Sequence, residues 1–347
     1  MDPEATASVG RVPHGSSDAF DLLDFSANVN PRVPDGVRAI YADALDRARR
    51  YPPDDYPDYR EAGATHVGCE ASEVIPTPGG LAAIRLAIEV VVERGDSVLV
   101  PYPSFGEYAR EVRLQGATPE FVPHDALCDA DPSGYGLAIG CTPNNPTGDA
   151  YDPEALRAFA RHCSDAGTVL LVDEAFSGFT DRDSLAAAVS GFENVIVARS
   201  LTKLFGLPGL RAGFAVASGD CRARLANARR AWALGTPAAR VGAHCMRDRE
   251  FVRETRGHLE RERPRLRERL AALSGSVEVS PSDAPFLCCD LGERDPAAVV
   301  VAARERGIAL RDATTFRGLD SHIRVAVRTR AENDRLLTAL DEVLADG

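Results

Sequence analysis

Lys203, in the stretch SLTKLFGLPGLR (residues 200–211), is the only lysine in a chain of 347 residues; all other basic side chains among its 40 lysines and arginines are arginine. A surface cation can be arginine as readily as lysine. A primary amine differs in two respects: burial can lower its pKa from about 10.4 toward neutrality, and the neutral amine condenses with carbonyls to Schiff bases. Ser200 and Arg211, in the same stretch, add a hydroxyl and a guanidinium fork that both suit a phosphate. A second anion site is read in TPGGLAAI (77–84), where Gly79 and Gly80 precede a predicted helix whose first backbone N–H groups are open to a phosphate; such a pair is also an ordinary tight turn. TVLLVDEAF sets Asp173 and Glu174 at the end of an apolar run. A carboxylate there either caps a helix or keeps a pyridine nitrogen protonated, which makes the ring an electron sink. CTPNNPTG (141–148) brings Asn144 and Asn145, with Asn145 a donor for a ring oxygen and Pro146 and Gly148 fixing the turn. Phe105, in YPSFGEY, is either core or a platform for a flat ring.

These residues follow predicted strands. Apolar runs at 97–100, 118–122, 136–140, 168–172, 194–198 and 212–217 alternate with stretches of helical character at 81–95, 105–116 and 152–167, the last opened by Asp152 as cap and Pro153 at the first helical position. Buried strands alternating with helices imply an α/β domain with a mostly parallel sheet, whose ligands bind at the carboxyl ends of the strands. After about residue 240 the pattern changes. An arginine- and glutamate-rich helix (249–273) leads into VEVS, PFLCCDL, AAVVVAARERG, IALRD, HIRVAV and a last helix opened by a Thr329–Glu332 capping box. The expected organisation is an arm (1–45), irregular over its first 35 residues, that joins the small domain; a large α/β domain (46–240); and a small α+β domain (241–347).

The formal charge of −12 argues against nucleic acid as a main partner, since phosphate backbones need a positive field. Lysine depletion with abundant arginine and acid also fits a GC-rich genome or a salt-adapted host, which explains the depletion but not the one survivor. No run of 18 apolar residues offers a membrane span, and the N-terminus has no signal-peptide pattern, so the cytoplasm is the expected place. The eight cysteines show no C-x-x-C or other metal spacing and read as reduced, buried small hydrophobes, with no metal site expected. No G-x-G-x-x-G follows the first strand, which argues against a nicotinamide enzyme.

From about residue 14 to the C-terminus, the ordered motifs PGG, PSFGEY, NNPTG, VDEAF and SLTKLFGLPGLR resemble the fold-type I pyridoxal-phosphate enzymes of the aspartate aminotransferase superfamily. The resemblance implies pyridoxal 5'-phosphate as cofactor and a homodimer. Lys203 would carry the cofactor and shuttle the Cα proton, Asp173 would pair with the pyridinium nitrogen, and Asn145 would bond the phenolate oxygen. Gly79 and Gly80, the backbone of Leu81, Ser200 and Arg211 would seat the phosphate, with Phe105 stacked on the ring. Tyr51, in RRYPPDDY, matches a tyrosine that reaches the neighbouring subunit's cofactor phosphate. Arg324, in HIRVAV, matches the clamp for a substrate carboxylate, with Arg311, in LRDATTF, as its helper.

Within the superfamily the chain is similar to the histidinol-phosphate aminotransferases and to the threonine-phosphate decarboxylases, which supply aminopropanol phosphate for cobalamin synthesis. HGSS followed by LDFSANVNP, Phe176 where the aminotransferases carry a tyrosine, Pro208, and the segment LRDATTFRGLDSHIRVAVRTRAEN lean toward the decarboxylases. His14, Asn28 and Asn30 then become candidates for the substrate and its phosphate. HGSS in place of HGG, and EAFSGF without a following acid, depart from the pattern. The resemblance therefore implies decarboxylation of L-threonine O-3-phosphate or transamination of histidinol phosphate. A non-catalytic cofactor-binding relative is the third reading, opposed by the joint presence of Lys203, Asp173, Asn145, Arg211 and Arg324.

Overall fold

The computed structural model describes residues 1–16, 19, 21–273 and 277–345; Ser17 of the HGSS stretch lies outside the described residues. The strands are β1 (Leu23–Asp24), β2 (Val74–Thr77), β3 (Ser97–Tyr102), β4 (Thr118–Pro123), β5 (Leu137–Cys141), β6 (Val169–Asp173), β7 (Val195–Ser200) and β8 (Gly213–Ala217), then β9 (Glu278–Val279), β10 (Phe286–Asp290), β11 (Ile308–Ala309), β12 (Arg311–Asp312) and β13 (His322–Ala326). Seven of them form one sheet in the order β2-β8-β7-β6-β5-β3-β4. Only β8 runs antiparallel to its neighbours β2 and β7; the remaining pairs are parallel. β5 and β8 are buried at every position, as expected of apolar strands covered on both faces.

The elements expected from residue 97 to 217 are present. The strand β2 was not among them, because VIPT is short and carries Pro76. It lies at the sheet edge, where a missing N–H donor is tolerated. The helices are α1 (Pro3–Ser8), α2 (Val37–Arg47), α3 (Pro57–Val67), α4 (Gly80–Val91), α5 (Glu107–Leu114), α6 (Pro153–Ala166), α7 (Leu201–Leu204), α8 (Gly219–Ala228), α9 (Thr236–Arg247), α10 (Arg249–Ala271), α11 (Pro296–Glu305) and α12 (Arg330–Ala345). Asp152 accepts from the N–H groups of Glu154 and Ala155 to open α6, and Gly167 closes it at φ 73°. At α12 the Thr329 N–H and hydroxyl both donate to the Glu332 carboxylate, and the Glu332 N–H returns a longer bond to the Thr329 hydroxyl. α2 and α3, packed against α9, had no counterpart in the sequence reading; α2 buries only Ala44 and so shows almost no apolar stripe.

The arm is not irregular throughout. Asp2 caps α1, and its N–H donates to Leu114 O at 2.7 Å, which fixes α1 to the end of α5. Farther along, β1 pairs in parallel with β11, and Phe25 spans two strands, donating to Ala309 O and accepting from Ala326 N–H. The second sheet, β12-β13-β10-β9, is antiparallel. Arg311 and Arg324 are Cα partners in its ladder, directly opposite each other. All eight cysteines are free and six are buried. Among the described residues no helix is long and apolar enough to cross a membrane.

Candidate active site

The carboxyl ends of β3, β5, β6 and β7 share one edge of the large sheet, and the end of β2 joins them because two antiparallel pairings restore its direction. The five motifs leave the sheet there. Cys141 pairs with Asp173, Asp173 with Ala198, and Ser200 with Gly213, which is also the partner of Thr77. A cavity of about 320 Å³ opens over this edge.

Lys203 lies on α7, one turn beyond Ser200, and lines the cavity. Burial, and then the positive charges of Arg324 and Arg211, pull its pKa down to about 8, against a smaller opposing effect of Asp24. Asp173 is buried. Its Oδ2 accepts from the Tyr108 hydroxyl at 2.6 Å and its Oδ1 from the Ala175 N–H at 2.9 Å, yet desolvation leaves its pKa above the ordinary value. No expectation from the sequence assigns Tyr108 a role. Its signal is the three-residue spacing from Phe105, which stands just before α5; the two rings meet edge-on at 5.6 Å. Glu174, the other acid of the pair, is spent elsewhere in a buried ion pair with Arg199 at 2.7 Å.

The anion cup is shaped by missing side chains. Gly79 has φ 100°, and a Cβ on it would lie 2.8 Å from Arg211 Nη2; a Cβ on Gly80 would lie 2.9 Å from that of Ser200. Gly80 and Leu81 open α4 and line the cavity, with Ser200, Thr202 and Arg211 facing the same space. Ser200 Oγ and Thr202 Oγ1 are 2.8 Å apart, and Thr202, like Tyr108, was not anticipated. Phe105 also lines the cavity, its ring 5.7 Å from that of His14.

A second wall comes from the N-terminal segment and the antiparallel sheet. Arg324 is 5% exposed. Its Nη2 donates to Ser26 O at 2.8 Å, its Nη1 donates to Asn145 Oδ1, and its Nε has no partner. Burial, then the neighbouring Arg311, pull its pKa down to about 9. Arg311 Nη2 donates to Pro13 O and to Thr315 Oγ1, and its Nε also lacks a partner. Among the described residues neither guanidinium has a carboxylate at ion-pair distance. His14 and Asn28 line the same cavity, and the buried Asn28 Oδ1 is unpaired. Phe176 lines it too, without a hydroxyl, its ring edge-on to Phe286 at 5.0 Å.

Three expected residues do not line the cavity: Gly79, which abuts Arg211, and Asn30 and Tyr51. The Asn30 amide donates to Leu204 O at 2.8 Å and Thr255 Oγ1 at 3.1 Å, so it ties the arm to α7 and α10 instead of facing a ligand. Tyr51 is 78% exposed and stacked on Trp232 at 4.5 Å, outside the cavity of its own chain. Asn144 is likewise used internally, donating to Pro103 O and Thr147 Oγ1.

Comparison with known proteins gives the family and the fold. Residues 21–340 match the family model described as aminotransferase class I and II. The chain is 32% identical over 332 residues to histidinol-phosphate aminotransferase 2 of Archaeoglobus fulgidus, covering 93% of each. It is also 32% identical over 338 residues to the threonine-phosphate decarboxylase of Salmonella typhimurium, covering 93% of this chain and 91% of the relative. The solved histidinol-phosphate aminotransferase of Sinorhizobium meliloti, in complex with pyridoxal-5'-phosphate, shares the fold at a TM-score of 0.82 and 23% identity, over 92% of this chain and 90% of that one.

Proposed function

The chain belongs to the class I and II aminotransferase family, and from that premise we propose that it decarboxylates L-threonine O-3-phosphate to (R)-1-aminopropan-2-yl phosphate. Its cofactor is pyridoxal 5'-phosphate, and the residues present fit that group. Gly79 and Gly80 leave open the space that Cβ atoms would fill against Arg211 and Ser200, Lys203 offers an amine with a pKa near 8, and Asp173 is a buried carboxylate oriented by Tyr108. When bound, the cofactor's ring accepts the electron pair left on the substrate Cα as a bond to it breaks.

The observation that carries the reading is the wall opposite the cup. Like charges directly opposite in an antiparallel ladder oppose folding, yet Arg311 and Arg324 face each other with unpaired Nε atoms and His14 nearby. Such a wall is complete when it holds anions. L-Threonine O-3-phosphate carries two in one molecule: Arg324 binds the carboxylate, and Arg311 with His14 binds the phosphate. Two fixed points orient the substrate and so select which Cα bond lies across the ring. The carboxylate leaves as carbon dioxide, and Cα takes in its place a proton delivered from the Lys203 ammonium.

The second reading, transamination of histidinol phosphate, rests on the equal identity to the relative of that name. The family resemblance also supports a homodimer as the active form. The exposed Tyr51–Trp232 stack is the surface it would bury, which turns Tyr51 toward the partner's site. The test of the main reading supplies purified holoenzyme with L-threonine O-3-phosphate and no keto acid. Stoichiometric carbon dioxide is expected. Turnover of histidinol phosphate that depends on 2-oxoglutarate, without carbon dioxide from threonine phosphate, would overturn it.

A further inference from the structure

The arm crosses the cavity as a strap, and one buried carboxylate ties that strap to the large domain. Glu107, the first residue of α5, is 3% exposed, and its two oxygens have different partners. Oε2 accepts from Arg85 Nη2 at 2.9 Å and lies 3.6 Å from Arg110 Nη1. Oε1 is bonded to His14 Nε2 at 3.1 Å, across 93 positions of sequence. Around this contact the strap is gripped on both sides. Arg110 Nε donates to Gly10 O at 3.0 Å, and Gly106 makes room for Val12, whose Cγ1 would lie 2.8 Å from any Cβ there. Arg311 Nη2 donates to Pro13 O at 2.9 Å, so the backbone before His14 touches a guanidinium of the second wall.

An acid at the start of a helix is stabilising by itself and needs no histidine. The arginines do not need all of Glu107 either. Arg85 is also bonded to Glu111 at 2.8 Å, and so is Arg110 at 2.8 Å. What remains specific to Glu107 is Oε1. A carboxylate that holds one imidazole nitrogen fixes the ring's orientation and leaves the other nitrogen, Nδ1, for a further partner.

We propose that Glu107 is a positioning residue: it holds His14, and with it strap residues 10–14, so that the imidazole meets the substrate's second anionic group beside Arg311. The identity of that group rests on the reading above; the grip on the strap does not.

The experiment is a double-mutant cycle on the holoenzyme with E107A, E107Q, H14A and E107A/H14A. E107A is expected to raise KM for L-threonine O-3-phosphate by about 10-fold or more, with kcat changed by less than about threefold and the cofactor's visible spectrum unchanged. E107Q, which keeps an acceptor of the same shape, recovers part of the loss. In the H14A background, E107A adds less than about twofold, because both act through one contact. A second readout is independent of turnover: trypsin cleaves after Arg11 faster in E107A than in the wild type. Additive effects in the cycle, or an unchanged KM with unchanged cleavage, would overturn the proposal. Should the wild type act on histidinol phosphate instead, the reading of the substrate falls while the same cycle on that substrate, and the cleavage rate, still decide the role of Glu107.

Discussion

Two walls of one cavity are built in opposite ways. The first is the edge of the large sheet, where Asp173, Ser200 and Lys203 emerge from adjoining strands whose register fixes their spacing. The second is assembled from the N-terminal segment and the antiparallel sheet, where Arg311 reaches Pro13, and Arg324 reaches Ser26, across 298 positions each. The groups of the first wall satisfy one another: Asp173 with Tyr108, Ser200 with Thr202. The second is long-range and leaves polar atoms buried and unpaired, at Arg311, Arg324 and Asn28. Unpaired buried donors and acceptors cost stability, and those of Arg311, Arg324 and Asn28 belong to residues that line the cavity, where the proposed substrate would meet them. The proposed function divides the labour accordingly, with the sheet edge holding the cofactor and the joint wall holding the substrate.

The largest effect is expected from Lys203→Arg. Guanidinium keeps the charge and cannot form a Schiff base, so the cofactor's visible absorption and all turnover are expected to be lost; retention of either in spectrum or assay would remove Lys203 from the centre of the account. Gly79→Ala is next. A methyl group at φ 100°, 2.8 Å from Arg211 Nη2, should weaken cofactor binding by roughly 10-fold, measured as the Kd for pyridoxal phosphate, while KM of the reconstituted enzyme holds. The pH dependence sharpens the same wall. With the Lys203 pKa near 8, the amine is mostly protonated and unreactive below that value. The rate of cofactor capture by apoprotein should therefore rise about 10-fold from pH 6 to pH 7 and level off above about pH 8. The smallest effect is expected from Asn30→Ala. Losing two buried hydrogen bonds should lower unfolding stability by about 1–3 kcal/mol in a denaturant titration, with KM unchanged, since that amide serves the arm's anchorage.

The two walls were not equally legible. Strand ends carry their chemistry in contiguous motifs, so Asp173, Asn145, Ser200 and Lys203 could be placed from alternating apolar runs and the residues that follow them. The same logic placed the sheet itself, except where Pro76 disguised an edge strand and where α2 and α3 lack a strong apolar stripe. The second wall has no such local code. Arg311 and Arg324 came from a resemblance, and nothing in their spacing showed that they would stand opposite each other. Asn30 illustrates the limit: ANVNP presents two asparagines two residues apart, one of which faces the cavity while the other is consumed by Leu204 and Thr255. Tyr108 and Glu107 show the converse. Both sit inside a quoted motif, but their roles depend on partners 65 and 93 residues away.

The division between the walls is tested most directly by titrating Arg211→Ala and Arg311→Ala side by side, for cofactor Kd and for kcat/KM on L-threonine O-3-phosphate at saturating cofactor. Arg211→Ala is expected to weaken cofactor binding by about 10-fold or more, and Arg311→Ala to leave it within about twofold while lowering kcat/KM by roughly 10- to 100-fold. Parallel losses of cofactor affinity in both variants, or an unchanged kcat/KM in Arg311→Ala, would contradict that division.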